Sequence, residues 1–264
     1  FLAACWLSGL AGAAEKVGRA GEDLTFFVVS DTHYGLSPGG DETIPRLVDK
    51  MNALPGTPYP GALGGKVGTP RGVLHIGDIT NDAKAANWEK FVKDYGLDGT
   101  DGRLRYPVYE TFGNHDGGAK SPVREGIRQR NAKRVGVKDV SENGLLYAWD
   151  WGRVRFVCLG LSPGTTRKTY DPVNSTDFAV RDLAKSVGSS GRPVFLIHHF
   201  GYDKEHSLSW WPEEWRTQLR DAIKGYNVAG ILNGHAHKSF ITTWEGFDVY
   251  HPPHFRQTPA KTGP

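Results

Sequence analysis

The chain has 264 residues, 38% of them hydrophobic and 23% charged, which is enough for one large core and excludes a disordered or fibrous chain. Its formal net charge of +3 suits a small anionic ligand and falls short of the basic density of a dedicated DNA binder. Two cysteines, Cys5 and Cys158, are too few for a disulfide framework. No segment after the first residues is apolar for long enough to span a bilayer.

Residues 1–14, FLAACWLSGLAGAA, read as the remnant of a secretory signal peptide: an apolar stretch, small residues suited to cleavage, then charged Glu15 and Lys16. The expectation is a secreted or periplasmic protein. Leu2-Ala3-Ala4-Cys5 also matches a bacterial lipoprotein box, which would put a lipid anchor at Cys5; an ordinary N-terminal helix is the plain alternative.

Strand-like runs follow at Leu24–Ser30, Gly72–Ile76, Pro107–Thr111, Leu145–Trp149, Arg153–Leu159, Pro193–Ile197, Asn227–Leu232, Ser239–Trp244 and Phe247–Tyr250. Helical patterns lie between them at Glu42–Asn52, Ala83–Asp94, Pro122–Arg134, Ser175–Ser186 and Trp211–Lys224, the last with Ser209 as its expected cap. Trp211, Trp215, Leu219 and Ile223 share one face of that last helix and read as core. Early alternation of strand and helix implies βαβ units, and the later pairs across Asp150–Gly152 and Glu245-Gly246 imply hairpins. With no repeat or linker in view, residues 22–264 are expected to form a single domain. Leu54–Arg71, rich in glycine and proline, reads as a surface excursion.

Five short segments come where an apolar strand gives way to a loop: Asp31-Thr32-His33, Gly77-Asp78, Gly113-Asn114-His115-Asp116, His198-His199 and Gly234-His235-Ala236-His237. As oxygen and nitrogen ligands, Asp31, Asp78, Asn114, His33, His198, His235 and His237 supply two carboxylates, one neutral amide and four imidazoles, enough for two divalent cations that share one carboxylate. In content and order the set resembles the calcineurin-like metallophosphoesterases, over about Phe26 to His237. The resemblance implies an α/β fold, a four-layer α-β-β-α sandwich of two mixed sheets flanked by helices, with further strands beyond the last motif. It also implies two divalent metal ions, with Mn, Fe, Zn or Co suiting imidazole and oxygen donors. Asp31, His33 and His237 would hold the first ion and Asn114, His198 and His235 the second, with Asp78 bridging.

The implied activity is hydrolysis of a small phosphodiester or phosphomonoester by a metal-bridging hydroxide. Two ions, two carboxylates and one hydroxide leave a formal charge of about +1, which attracts a phosphate without trapping it. His115 would protonate the leaving alkoxide, and Asp116 would orient it or cap the next helix. Asn81 stands where family members place an amide that contacts phosphate. The protein Ser/Thr phosphatase branch has a carboxylate and an Arg near this point. Asn81-Asp82 favours instead the cyclic-nucleotide or glycerophosphodiesterase-like branch.

Some residues stay open at this level. Alternation along the strand allows only one of His198 and His199 to reach the metals, and the family pattern favours His198. His75 reads as a hydrogen-bonded core histidine, Cys158 as a small buried hydrophobe, and Asn174-Ser175-Thr176 as a glycosylation acceptor if the source is eukaryotic. His206, His251 and His254 sit on loops that could overhang the site. Lys120, Arg124, Arg128, Arg130, Lys133, Arg134 and Lys138 form a basic run, either a funnel for anionic substrate or a solvated helix face. A metal-dependent nuclease of the same superfamily and an inert metal-binding relative are the competing functions. No specific nucleic-acid partner is expected, because aromatics do not interleave the basic run.

Overall fold

The computed structural model describes residues 23–61, 64–164, 174–203 and 207–254. The proposed signal segment, Cys5 and His206 lie outside them.

Three strands, β1 (Phe27–Val29), β2 (Val73–Ile76) and β3 (Val108–Thr111), form a parallel sheet in that order. They are linked through α1 (Pro38–Ala53) and α2 (Ala85–Tyr95), as βαβ units require. A single 3₁₀ turn at Asn114–Asp116 then leads to α3 (Pro122–Lys133). The second sheet has seven strands: β4 (Val137–Val140), β5 (Tyr147–Trp151), β6 (Val154–Cys158), β7 (Val194–Ile197), β8 (Val228–Leu232), β9 (Phe240–Trp244) and β10 (Phe247–His251). Its order is β4-β5-β6-β7-β8-β10-β9. The β6-β7-β8-β10 centre is parallel and the two outer hairpins are antiparallel. Helices α4 (Ser175–Ser186) and α5 (Glu213–Ile223) supply the crossovers around β7.

Residue parity along the strands builds the layers. Phe26 and Val28 share an apolar cluster with Leu74 and Ile76 of β2 and with Trp149, Phe156, Phe195 and Leu232 of the larger sheet. Tyr109 stacks on Trp149 at 4.3 Å between ring centroids, and Trp149 on Phe156 at 5.1 Å, so aromatic rings fill the space between the sheets. Each such pair adds about 0.5–1.5 kcal/mol beyond its buried area. The alternate residues Phe27, Val29, Val73 and Val108 share a core with Ile44, Phe91 and Ile127 of α1–α3. Leu196 and Ile231 do the same with Leu183 and Leu219 of α4 and α5. The outcome is the expected α-β-β-α sandwich, with one correction: among the described residues the smaller sheet is wholly parallel.

Two local expectations change. Helix α5 begins at Glu213 after Pro212, so Ser209 is not its cap. The basic run divides: Lys120, Lys133 and Lys138 are solvent-exposed and Arg128 is half-buried. Arg124, Arg130 and Arg134 are buried, Arg130 and Arg134 both pair with the Glu110 carboxylate, and Arg124 lies over the Phe112 ring. Cys158 is a free, buried thiol, and His75 meets Thr32 Oγ1 at 3.1 Å inside the core, both as expected.

Candidate metal centre

Parallel strands place their carboxyl ends at one edge, and the five motif segments leave from those ends. Asp31 and His33 follow β1, Asp78 follows β2, Asn114 and His115 follow β3, His199 follows β7, and His235 and His237 follow β8. Among the described residues seven non-glycines have positive φ, and five are Asp31, His33, Asp78, His235 and His237. Left-handed backbone costs a non-glycine residue about 1–3 kcal/mol, and such strain collects where side chains must be aimed. Gly113 and Gly234 let the loops close up: a Cβ on Gly113 would meet the Asp78 carboxylate, and one on Gly234 would meet Ser30 Oγ.

Backbone amides fix the carboxylates. His115 N donates to Asp78 Oδ1 at 2.9 Å, and His235 N donates to Asp31 Oδ2 at 3.1 Å. Each acid therefore keeps one oxygen facing the imidazoles. Asp78 Oδ2 lies 3.6 Å from His33 Nε2 and 3.3 Å from His199 Nε2, while Asp31 Oδ1 lies 3.3 Å from His237 Nε2. His33 Nε2 and His237 Nε2 face each other at 3.1 Å. Asp31, His33, Asp78 and His237 thus offer one set of converging donors, and Asp78, His199 and His235 a second. Asp78 belongs to both.

The donor chemistry fits divalent cations. Asp31 Oδ1, Asn114 Oδ1 and His199 Nε2 are buried and make no hydrogen bond, an arrangement that costs free energy unless another ligand engages them. His199 Nδ1 meets the Ile76 carbonyl at 2.7 Å, which assigns the proton to Nδ1 and leaves Nε2 directed at Asp78. Burial holds the His33 and His235 imidazoles down to about 4, so both are neutral near pH 7 with lone pairs available. Burial works against the charged forms of Asp78 and His199, but their mutual attraction wins: the Asp78 carboxyl is lowered and His199 is raised to about 9, so without a metal its Nε2 also carries a proton, which an ion binding there would displace.

Most of the expected set converges. His198 does not. It is fully buried on the far side of the strand, 4.8 Å from the Trp211 ring, with Asn233 Nδ2 at 3.0 Å from its Nδ1. His199 stands in its place. Alternation supplies the reason: Phe195 and Ile197 point between the sheets, so His199 continues that face while His198 follows Leu196 toward the helices.

His115 is exposed at the rim, with its ring 4.7 Å from that of His33. Its Nδ1 meets the backbone carbonyl of Asn81 at 2.9 Å, so Asn81 orients the imidazole through its main chain. Asp116 neither touches that ring nor caps α3, whose first turn is capped by Ser121. It accepts from Ile79 N, Thr80 N, Thr80 Oγ1 and Gly113 N, and so ties the Asp78 loop to the Asn114 turn. His254 does more than overhang the site. Its ring stacks on His237 at 4.8 Å, and a parallel bridge to Ser30 holds its backbone beside β1. A cavity of 630 Å³ opens over the cluster, lined by Asp78, His115, Ser209, Trp210, His235, Ala236, His237 and Lys238.

Residues 24–239 match the family model described as calcineurin-like phosphoesterase. No curated protein matches the chain. Among solved structures, a dimetal phosphatase from Danio rerio superposes with a TM-score of 0.60 at 13% identity, covering 89% of each chain. A Thermus thermophilus protein gives 0.51 at 12% identity, covering 87% of this chain and 89% of its own. A Staphylococcus aureus protein described as a putative 5'-nucleotidase gives 0.50 at 12% identity, over 88% of this chain and 48% of the longer one. At these identities the likeness is one of fold.

Proposed function

Because this chain belongs to the calcineurin-like phosphoesterase family, we propose that it hydrolyses small phosphate esters with two divalent cations seated at the strand ends. Asp31, His33, Asp78 and His237 would hold one ion; Asp78, Asn114, His199 and His235 the other. Asp78 shared between two converging donor sets is the observation that carries this reading. When bound, the cations supply charge to neutralise phosphoryl oxygens and to acidify a water.

The remaining work falls to the chain's own groups. His115 faces the cavity beside Asp78, with Nδ1 engaged by the Asn81 carbonyl. With Nδ1–H donating to that carbonyl, Nε2 can carry the second proton of the imidazolium and pass it to the departing oxygen, which leaves the ring neutral. A general acid so placed contributes about 10²–10⁴-fold. Lys238 adds positive charge at the rim. Export of the protein belongs to the same proposal and rests on residues 1–14 alone; recovery of the protein only inside the expressing cell, with residues 1–14 still attached, would remove it.

The test is to strip the protein with chelator, reload it with Mn²⁺ or Zn²⁺, and assay bis-p-nitrophenyl phosphate beside p-nitrophenyl phosphate. Two ions per chain together with turnover of at least one ester is the expected result. Two bound ions and no turnover of either would overturn it.

A further inference from the structure

One side chain over the cluster is unlike the rest of the surface. Trp210 is half exposed, at 51%, and it alone is aromatic among the large hydrophobic residues exposed in the described parts of the chain. Exposing half an indole forgoes apolar burial that the fold would otherwise use. Its neighbour Trp211 is fully buried and donates its Nε1–H to the Pro163 carbonyl at 2.7 Å, anchoring the turn that carries Trp210. Phe200 props the indole edge-on at 5.6 Å between centroids, and His235 lies tilted beneath it at 5.5 Å. Trp210 is thus braced in the lining of a cavity that Asp78 and His115 also line.

From this we infer that the site selects phosphate esters whose organic part carries a planar ring, a nucleobase or an aryl group, with Trp210 as the stacking platform. The inference rests on the hydrolase reading above and adds the substrate class to it. A ring beside the phosphate matches the cavity, whose 630 Å³ holds a nucleotide-sized molecule with its phosphate at Asp78. Stacking on a braced indole needs no hydrogen-bond match, so ring-bearing esters of different kinds share the gain. Lys238, on the same rim, attracts the anionic end without distinguishing rings from chains.

The experiment compares AMP, p-nitrophenyl phosphate and glycerol phosphate with the metal-loaded wild-type enzyme, Trp210→Ala and Trp210→Phe. The expected result is that Trp210→Ala lowers the selectivity for ring-bearing over ring-free ester by about tenfold, carried in KM rather than kcat. Trp210→Phe should restore most of it. A drop for AMP alone assigns a nucleobase, and a drop for both ring substrates assigns any planar ring. Unchanged selectivity in Trp210→Ala would overturn the inference. If wild-type enzyme turns over none of these three monoesters and no bis-p-nitrophenyl phosphate, the hydrolase reading fails by itself. Titration calorimetry with AMP then decides the stacking: weaker binding to Trp210→Ala supports it, and equal binding removes it.

Discussion

At the level of single residues, the site depends on which of two adjacent histidines turns inward. His199 lies 3.3 Å from Asp78, whereas His198 is packed beneath Trp211. His199→Ala should therefore cut metal stoichiometry from two towards one. The loss in affinity should exceed the about 10–100-fold that follows removal of a supporting group, and metal analysis after dialysis checks it. His198→Ala should keep both ions and lose about 2–4 kcal/mol of stability, measured by denaturant titration, because it empties a packed position. His115→Gln should keep both ions and lose about 10²–10⁴-fold in kcat; turnover near the wild-type value would dismiss the assigned proton donor. These side chains were legible as a set because each follows an apolar run. The choice at 198–199 was not. It needed the parity of Phe195 and Ile197, which depends on what lies across from β7 and not on the segment itself. Asp116 was visible as an acid next to His115, yet its partners Ile79 and Thr80 are more than thirty residues away.

Among the elements, α3 shows how a tertiary partner can reverse what a sequence suggests. Seven cations close together look like a solvent face. Glu110 on β3 instead draws Arg130 and Arg134 into the interior, at 2.9 and 2.6 Å. Burial alone would raise the Glu110 carboxyl, but the two guanidinium groups outweigh it and hold it below the usual glutamate range. A lowered folded value means stability that is complete above the unfolded glutamate value near 4.3 and is lost as pH falls through the folded one. Denaturant midpoints should fall steeply below about pH 4 in the wild type. Glu110→Gln should cost about 3–5 kcal/mol at pH 7 by stranding two buried cations, and should flatten that acid limb. An equal acid slope in both proteins would exclude Glu110 as its source. Element positions were otherwise readable to within a few residues, with Ser175–Ser186 recovered as α4. β4, Val137–Val140, escaped because a four-residue edge strand reading Val-Lys-Asp-Val carries little apolar signal. The start of α1 escaped too, since Pro38-Gly39-Gly40 resembles a loop until Ser37 caps it.

For the whole molecule, the donors are divided between the sheets: Asp31, His33, Asp78 and Asn114 from the parallel three, His199, His235 and His237 from the larger one. Ions that bind only this closed arrangement stabilise it by mass action, about 2.7 kcal/mol when present at a hundred times their dissociation constant. Chelation should accordingly lower the melting temperature, and re-addition of Mn²⁺ or Zn²⁺ should restore it; a midpoint indifferent to metal would count against the two donor sets. The division also imposes a timetable on synthesis. A ribosome delivers Asp31, His33, Asp78 and Asn114 well before His199, His235 and His237. Only after His237 emerges can an ion find a full set of donors. On the proposed donor sets, neither ion can have its full complement of ligands until the chain beyond β8 has been made.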